Sequence, residues 1–372
     1  MNKKKILMIA NTSDMFNKFL VPHIEDLINN NNDVDIAYAL NHKIDNYLDK
    51  NCKNYNLSFD RSPFSKKNVE AYKELKEIIL YGKYDLIHTH TPIPSALVRL
   101  IKKHNNINTK VIYTAHGFHF FRGGPIKNWF LYYPIERYLS KYTDCLITIN
   151  EEDYILAKNK FNARKIKYIK GIGFDYEKFN CIGSKDKFRE KYNYKSDEFI
   201  MFYAAELNDN KNQILLLKAM DCLVNEKSIK NIKLLLAGDG DNRELYENYI
   251  KEKNLSNDVE LLGFVDNVEE LLCLSDITVA SSKREGLPIN ILESMAAGKP
   301  PIATNVRGHR NLIMNYETGI LVKNESEIVY SIMELRKNKE LYSKLSENCK
   351  RFSYEYKIDN IIVKMREVYN VL

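Results

Sequence analysis

The feature that most constrains this chain is an alternation that begins twice. A short apolar run is followed by an amphipathic helical stretch, the pair recurs through the first half, and the series restarts near residue 199. The first series places strands at Lys5–Ala10, Val34–Ala39, Leu86–Thr89, Lys110–Thr114, Cys145–Ile149 and Ile166–Ile169. The second places them at Phe199–Ala204, Ile232–Leu236, Val259–Leu262, Ile277–Ala280 and Pro301–Ala303. Between them lie helical segments such as Asn68–Tyr81, with Leu75, Ile78 and Ile79 at helical spacing. Strands alternating with helices make βαβ units around a parallel sheet. At 372 residues the chain is too long for one core, so the sequence predicts two parallel-sheet domains in tandem. The first spans 1–175, and the second 176–352. A linker runs from Gly171-Ile172-Gly173-Phe174-Asp175 through the polar stretch to Ser196. The terminal segment Asn348–Leu372 reads as one or two helices, and 353–372 is expected to return to the first domain.

Several classes are excluded at once. The chain is 44% hydrophobic and 28% charged, the balance of a folded globular protein. No run of ~18 uncharged apolar residues is present to span a membrane. The opening MNKKKILMIA is basic, but Asn11, Thr12, Ser13 and Asp14 stop its apolar run too early for a secretory signal. It reads as a first buried strand in a cytoplasmic protein. Cys52, Cys145, Cys181, Cys222, Cys273 and Cys349 form no CxxC, a spacing expected of reduced, mostly buried thiols. Residues 1–180 carry 28 Lys and Arg against 19 Asp and Glu, while residues 181–372 carry 28 against 30. No basic tract with interleaved aromatics marks a nucleic-acid reader. The basic first half suits phosphate groups, whether of a substrate or of an anionic membrane surface.

The chemistry concentrates between Ser281 and Pro300. A strand ending in Thr278-Val279-Ala280 leads into Ser281-Ser282-Lys283-Arg284-Glu285-Gly286-Leu287-Pro288 and a helix from about Ile289, with Pro288 suited to its first turn. Free backbone N–H groups and the positive end of the helix dipole then lie at the carboxyl edge of a sheet, where open α/β folds bind phosphate. Glu285 and Glu293, eight positions apart, are placed to flank one ligand through its hydroxyls.

This run, Glu285-x7-Glu293 followed by Met295-Ala296-Ala297-Gly298-Lys299-Pro300, resembles the signature of the family-4 glycosyltransferases, retaining enzymes of the GT-B fold. The resemblance extends over essentially the whole chain. Leu234–Gly240 resembles the family's strand and glycine turn, which includes Gly238, and Leu262-Gly263-Phe264-Val265 the segment against which a nucleotide base rests. Asp85–His90, Thr114-Ala115-His116-Gly117 and Gly173-Phe174-Asp175-x-x-x-Phe179 fill first-half positions. Among family members the chain is most similar to bacterial enzymes that extend capsule or exopolysaccharide units on a lipid carrier. The resemblance implies two Rossmann-like domains facing a cleft, the first binding the acceptor and the second a nucleotide sugar. It implies that Glu293 holds the donor ribose and that Glu285 stands by the transferred hexose. Backbone groups of Gly286, Leu287, Pro288 and Ile289 would face hexose and diphosphate. Lys211 matches the lysine that neutralises the diphosphate, and His116 the histidine that meets the hexose from the first domain.

Two positions depart from the pattern. Where the family carries an Arg paired with that Lys, this chain has Ala205-Glu206-Leu207, so either Arg284, Lys283 or Arg307 supplies the charge or the backbone holds more of the diphosphate. The N-terminal loop Ala10-Asn11-Thr12-Ser13-Asp14 lacks the usual glycine, leaving Thr12 or Ser13 for acceptor contacts. His88 and His90 share one face of a strand end, either as polar lining of a cleft that contacts the acceptor or as a metal pair. Gly238-Asp239-Gly240-Asp241-Asn242-Arg243 lacks the last glycine of a dinucleotide fingerprint, which counts against nicotinamide binding. The stretch Phe118–Tyr133 reads either as core or, with Arg164, Lys165, Lys167 and Lys170, as a peripheral contact with anionic membrane.

The reaction implied is transfer of a hexose or N-acetylhexosamine, with retention, from a nucleotide sugar (UDP-linked favoured) to a lipid-linked saccharide. No further cofactor is expected, nor a metal, since no DxD-type acid pair stands at a strand end. Sugar-nucleotide epimerases share the architecture but need no acceptor. A silent sugar-nucleotide-binding partner would have lost groups such as Glu285 and Lys211.

Overall fold

In the computed structural model, which describes residues 3–121, 123–181 and 185–371, the chain forms two compact units. One comprises Met1–Gly173 with Ile358–Leu372, the other Phe174–Lys357. Residues 182–184 of the expected linker and Arg122 of the aromatic-basic stretch lie outside the described residues.

The first unit holds a seven-stranded sheet of β1 (Lys5–Thr12), β2 (Asp33–Ala39), β3 (Lys53–Asn56), β4 (Leu86–Thr89), β5 (Lys110–Ala115), β6 (Cys145–Thr148) and β7 (Lys165–Tyr168). Every pairing is parallel, in the order β3-β2-β1-β4-β5-β6-β7. Period-2 alternation divides β1 between two cores. Ile6, Met8 and Ala10 pack with Ile361, Met365 and Val368 of the last helix, Ile358–Val371, whereas Leu7 and Ile9 pack with Leu75, Ile79 and Val98. Both faces are covered, which is why the strand is apolar without interruption. β7 is an edge strand, and Lys165 and Lys167 on it fit the usual blunting of an edge against further pairing.

The second unit holds a six-stranded sheet of β8 (Phe199–Ala204), β9 (Ile232–Ala237), β10 (Val259–Gly263), β11 (Ile277–Ala280), β12 (Pro301–Thr304) and β13 (Ile320–Val322). It is again all parallel, in the order β10-β9-β8-β11-β12-β13. β3 and β13 are the two strands that the sequence reading did not predict. One is polar (Lys-Asn-Tyr-Asn) and the other only three residues long, so neither carries a readable apolar run.

One sequence expectation is corrected here. Cys181 and Cys273 are joined by a disulfide across a separation of 92 residues, so the cysteines are not all free thiols. Cys52, Cys145, Cys222 and Cys349 remain free. A bridge of this kind is set by tertiary placement and leaves no spacing signature. Among the described residues no helix is long and apolar enough to cross a membrane.

Candidate active site

Strand order reverses between β8 and β11 in the second unit, the kind of switch point at which open parallel sheets bind ligands beyond their carboxyl ends. The loops leaving those two strands are stitched together. The Lys283 N–H donates to the Asn210 carbonyl at 2.7 Å, Asn210 Nδ2 to the Arg284 carbonyl at 3.1 Å, and Ser281 Oγ to the Lys211 carbonyl at 2.7 Å. The lacing brings Lys211 Nζ to 2.6 Å from Glu285 Oε1, with the two side chains 23% and 13% exposed. Two residues 74 apart in sequence thus form one partly desolvated ion pair.

Immediately downstream the helix Ile289–Ala296 begins. Pro288 is its N-cap in extended conformation (φ −76°, ψ 107°), one position before the first turn where the sequence placed it. No side chain caps this end, so the first backbone N–H groups are left for a ligand or water. Glu293 lies one turn inside. Burial pushes its carboxyl up to about 7, with Lys178 pulling down and Glu269 pushing up. Asn290 Nδ2 ties the helix start to β8 through the Ala204 carbonyl at 3.1 Å.

The glycine turn after β9 is required by packing. Gly238 has φ +135°, and a Cβ there would lie 2.1 Å from the Ala205 carbonyl oxygen. Its N–H donates to the Gly263 carbonyl at 2.7 Å, which joins the two predicted segments, and Phe264 is left 81% exposed beside Val265. At the departures from the pattern, Glu206 is exposed and supplies only its carbonyl, to Gln213 Nε2. Lys283 and Arg284 are exposed, whereas Arg307 is buried.

Two neighbours of the pair were not singled out in the sequence. A Cβ on Gly308 would come within 2.6 Å of the Glu285 Cβ, so the short helix Arg307–Arg310 abuts the glutamate. His309 is wholly buried and holds the Thr304 carbonyl through Nδ1 at 2.7 Å, while Thr304 Oγ1 donates to the Ser282 carbonyl at 2.6 Å. Burial keeps its imidazole below the usual range. A Gly-His dipeptide offers no signal by which to find it.

In the first unit the switch point is between β1 and β4. A cavity of about 470 Å³ lies there, lined among others by Asn11, Thr12, Lys18, Arg61, Thr91 and Tyr132. Thr12 therefore faces open space. Ser13 and His88 do not. Ser13 is fully buried, and its hydroxyl is held between Asn41 Oδ1 and the His42 carbonyl at 2.7 Å each. His88 is fully buried between the Tyr369 hydroxyl (2.7 Å) and Thr114 Oγ1 (2.8 Å), with no ring nitrogen left for a ligand. His90 is buried too, 3.3 Å from His116 Nε2, and burial holds both imidazoles below their usual range, that of His116 at about 4. Among the described residues no group of three or more His, Cys, Asp and Glu is placed to hold a metal ion.

Comparison with known proteins bears directly on this geometry. Residues 5–150 match the family model "Glycosyl transferase 4-like", and residues 184–352 match "Glycosyl transferases group 1". The Bacillus subtilis (strain 168) protein named glycosyltransferase EpsD is 39% identical over 99% of this chain and 96% of its own length. The chain belongs to the group 1 glycosyltransferases. An Escherichia coli relative, UDP-Gal:alpha-D-GlcNAc-diphosphoundecaprenol alpha-1,3-galactosyltransferase, is 27% identical over 82% of this chain and 81% of its own. The crystal structure of Anabaena Alr3699/HepE in complex with UDP and glucose superposes with a TM-score of 0.79 at 16% identity, covering 99% of this chain and all of that one. Sucrose-phosphate synthase from Thermosynechococcus elongatus superposes at 0.77 with 20% identity, over 99% and 98% of the two chains. The fold of this glycosyltransferase is GT-B.

Proposed function

We propose that this glycosyltransferase moves a hexose or N-acetylhexosamine from a UDP-sugar to a lipid-linked saccharide in surface-polysaccharide assembly, with retention at the anomeric carbon and without a metal. The observation that carries the reading is the Lys211–Glu285 pair beside the uncapped start of the Ile289–Ala296 helix. A leaving diphosphate gathers charge as its bond to the sugar breaks. Lys211 and the N–H groups of Gly286, Leu287 and Ile289 are the donors that stabilise it, with the helix dipole adding to them. Glu285 stands by the anomeric centre and a sugar hydroxyl. Glu293 grips the ribose hydroxyls, and Gly263, Phe264 and Val265 take the base, with Gly238 and Arg284 beside them. His116 contacts the hexose, and the cavity at Thr12 takes the acceptor. In the transfer, the bond from acceptor oxygen to anomeric carbon forms on the face from which the diphosphate leaves. The acceptor proton passes to a donor phosphate oxygen, and UDP and the new glycoside result. Support for the donor comes from the UDP and glucose bound in the Anabaena structure, and for the acceptor from the diphosphoundecaprenol in the E. coli relative's name.

The test is product analysis with UDP-sugars and a polyprenyl-diphosphate-linked sugar, with and without EDTA. Retained anomeric configuration with EDTA-insensitive turnover is expected. Inversion, or complete loss in EDTA, contradicts the mechanism. Conversion of the donor without acceptor would mean an epimerase.

A further inference from the structure

The transfer chemistry does not account for what surrounds Glu293. Two charged groups outside its own helix bear on its carboxyl: Lys178, on the linker turn Glu177–Phe179, and Glu269, on the helix Val268–Leu274. That turn packs against both the Val268–Leu274 and the Ile289–Ala296 helices. Val268 and Leu272 share a narrow crevice with Asn290 and Glu293. Lys178 Nζ lies 3.4 Å from Glu269 Oε2, with the two side chains 48% and 30% exposed. The oxygen is sealed from solvent and accepts no hydrogen bond among the described residues, so the ammonium is what offsets its charge.

The pair is held in place covalently. Glu269 and Cys273 are four positions apart and share one side of their helix, while Cys181 follows Lys178 by three. The Cys181–Cys273 bridge therefore runs alongside the ion pair. Phe179, between Lys178 and Cys181 in sequence, is buried in the core of this unit. Other charges on these elements are engaged elsewhere. Lys357 Nζ holds Glu177 at 2.9 Å, and Lys191 Nζ holds Glu270 at 2.6 Å. Lys299 donates to the Cys273 and Ser275 carbonyls, and Lys350 of the helix Lys339–Ser353 donates to Asn180 Oδ1. Strands β11 and β12, which the Ile289–Ala296 helix also packs on, carry no charged residue.

We propose that Lys178 is a positioning residue for Glu293: by offsetting Glu269 it lets the neighbouring carboxyl stay charged, the form that best grips the ribose hydroxyls of the donor. Two carboxyls close together in a partly desolvated site oppose each other's ionisation, and a cation beside them relieves both. A hydrogen bond to a charged carboxylate is roughly twice as strong as one between neutral groups, so protonation of Glu293 weakens the grip. Partial burial has already brought its carboxyl to about 7, so one neighbouring charge changes its ionisation at neutral pH. This role rests on the ribose reading of Glu293 and adds what keeps that grip ionised.

Calorimetric titration with UDP between pH 6 and pH 9 tests it, each variant being compared with wild type at the same pH so that ionisation of the UDP phosphate cancels. Lys178→Met is expected to weaken binding ~3–10-fold at pH 6.5 and to come within about twofold of wild type at pH 9, since one pKa unit is a factor of ten. Glu269→Gln should tighten binding about threefold at pH 6.5, where more of Glu293 is then ionised. Lys178→Arg should restore the wild-type profile. Raising salt to 500 mM should shrink the Lys178→Met difference, because the pair is partly exposed. 2′,3′-Dideoxy-UDP, which has no ribose hydroxyls to grip, should bind Lys178→Met and wild type alike. A loss of equal size at every pH, or one that dideoxy-UDP shares, makes Lys178 a direct contact or a merely structural residue and overturns the proposal. So does a Lys178→Met profile identical to wild type. Wild type that fails to bind UDP, or binds it no better than Glu293→Ala, fails the donor reading itself and the proposal with it.

Discussion

At the scale of single residues the account turns on groups whose ionisation the fold has altered. Glu293 is a half-buried carboxyl with a folded-state pKa of about 7 against 4.5 in an unfolded chain. A raised carboxylate pKa means that stability is full below pH 4.5 and is lost as pH rises through 7. Glu293→Gln should therefore gain on wild type by ~1–3 kcal/mol in denaturant melts between pH 5 and pH 8, and parallel curves would contradict that burial. The histidines run the other way. Burial holds His23, His88 and His90 below 6.5 and His116 at about 4, with Asp26 facing His23. Their stability is full above pH 6.5 and is lost as pH falls toward 4, by up to ~1.4 kcal/mol per pH unit for each group that must charge on unfolding. A melting temperature that holds steady from pH 7 to 4.5 would contradict it. Lys211→Ala and Glu285→Ala should each lower turnover ~10²–10³-fold under saturating donor, as loss of one group that stabilises transition-state charge does, Lys211 at the leaving diphosphate and Glu285 at the anomeric centre. Glu285, Glu293 and Lys211 could be named as candidates because each sits in a motif. That Ser13 and His88 are sealed was not, because burial is decided by residues as far away as Asn41 and Tyr369.

At the scale of elements, the strands read most directly are those whose two faces are both buried, since these leave an unbroken apolar run, although β7 and β10, partly buried at sheet edges, were read as well. β1, β4, β8 and β11, which carry the loops of interest, are of that kind. β3 and β13 lie at sheet edges and carry no such run. The stretch from Phe118 to Tyr133, read as either core or membrane contact, is core in part: Phe118 and Phe120 are buried, while Ile126 and Phe130 are exposed. What fixes the Ile126–Leu139 helix is a buried ion pair that sequence does not announce. Arg99 reaches Glu136 and the Ser95 carbonyl, and its guanidinium lies 4.7 Å from the centre of the Tyr113 ring. Removing one partner strands the other charge. Arg99→Leu should cost ~3–5 kcal/mol in chemical denaturation, and Arg99→Leu with Glu136→Leu should recover much of it; an unaffected single variant would show the pair to be dispensable.

At the scale of the whole molecule, the tandem restart of the βα series was enough to anticipate two parallel sheets, and the 281–300 motif enough to anticipate the family. The family is shown by the 39% identity to EpsD across nearly the full chain, and the GT-B fold by the superpositions. What the sequence could not carry is the packing that makes a site from these parts. The lacing of the loops after β8 and β11, the close approach of Gly308 to Glu285 and the Cys181–Cys273 bridge all join residues far apart in the chain. The central claim is that the second unit is a working UDP-sugar site built on Lys211, Glu285 and Glu293. Its most direct test is a metal-free thermal-shift panel of UDP, GDP, ADP and their sugar conjugates on wild type and on Glu293→Ala. A ligand at ~100 times its dissociation constant stabilises the native state by ~2.7 kcal/mol. The account predicts that UDP and UDP-sugars shift the wild type and not the variant. A panel in which no nucleotide shifts the wild type would contradict it and favour a silent partner.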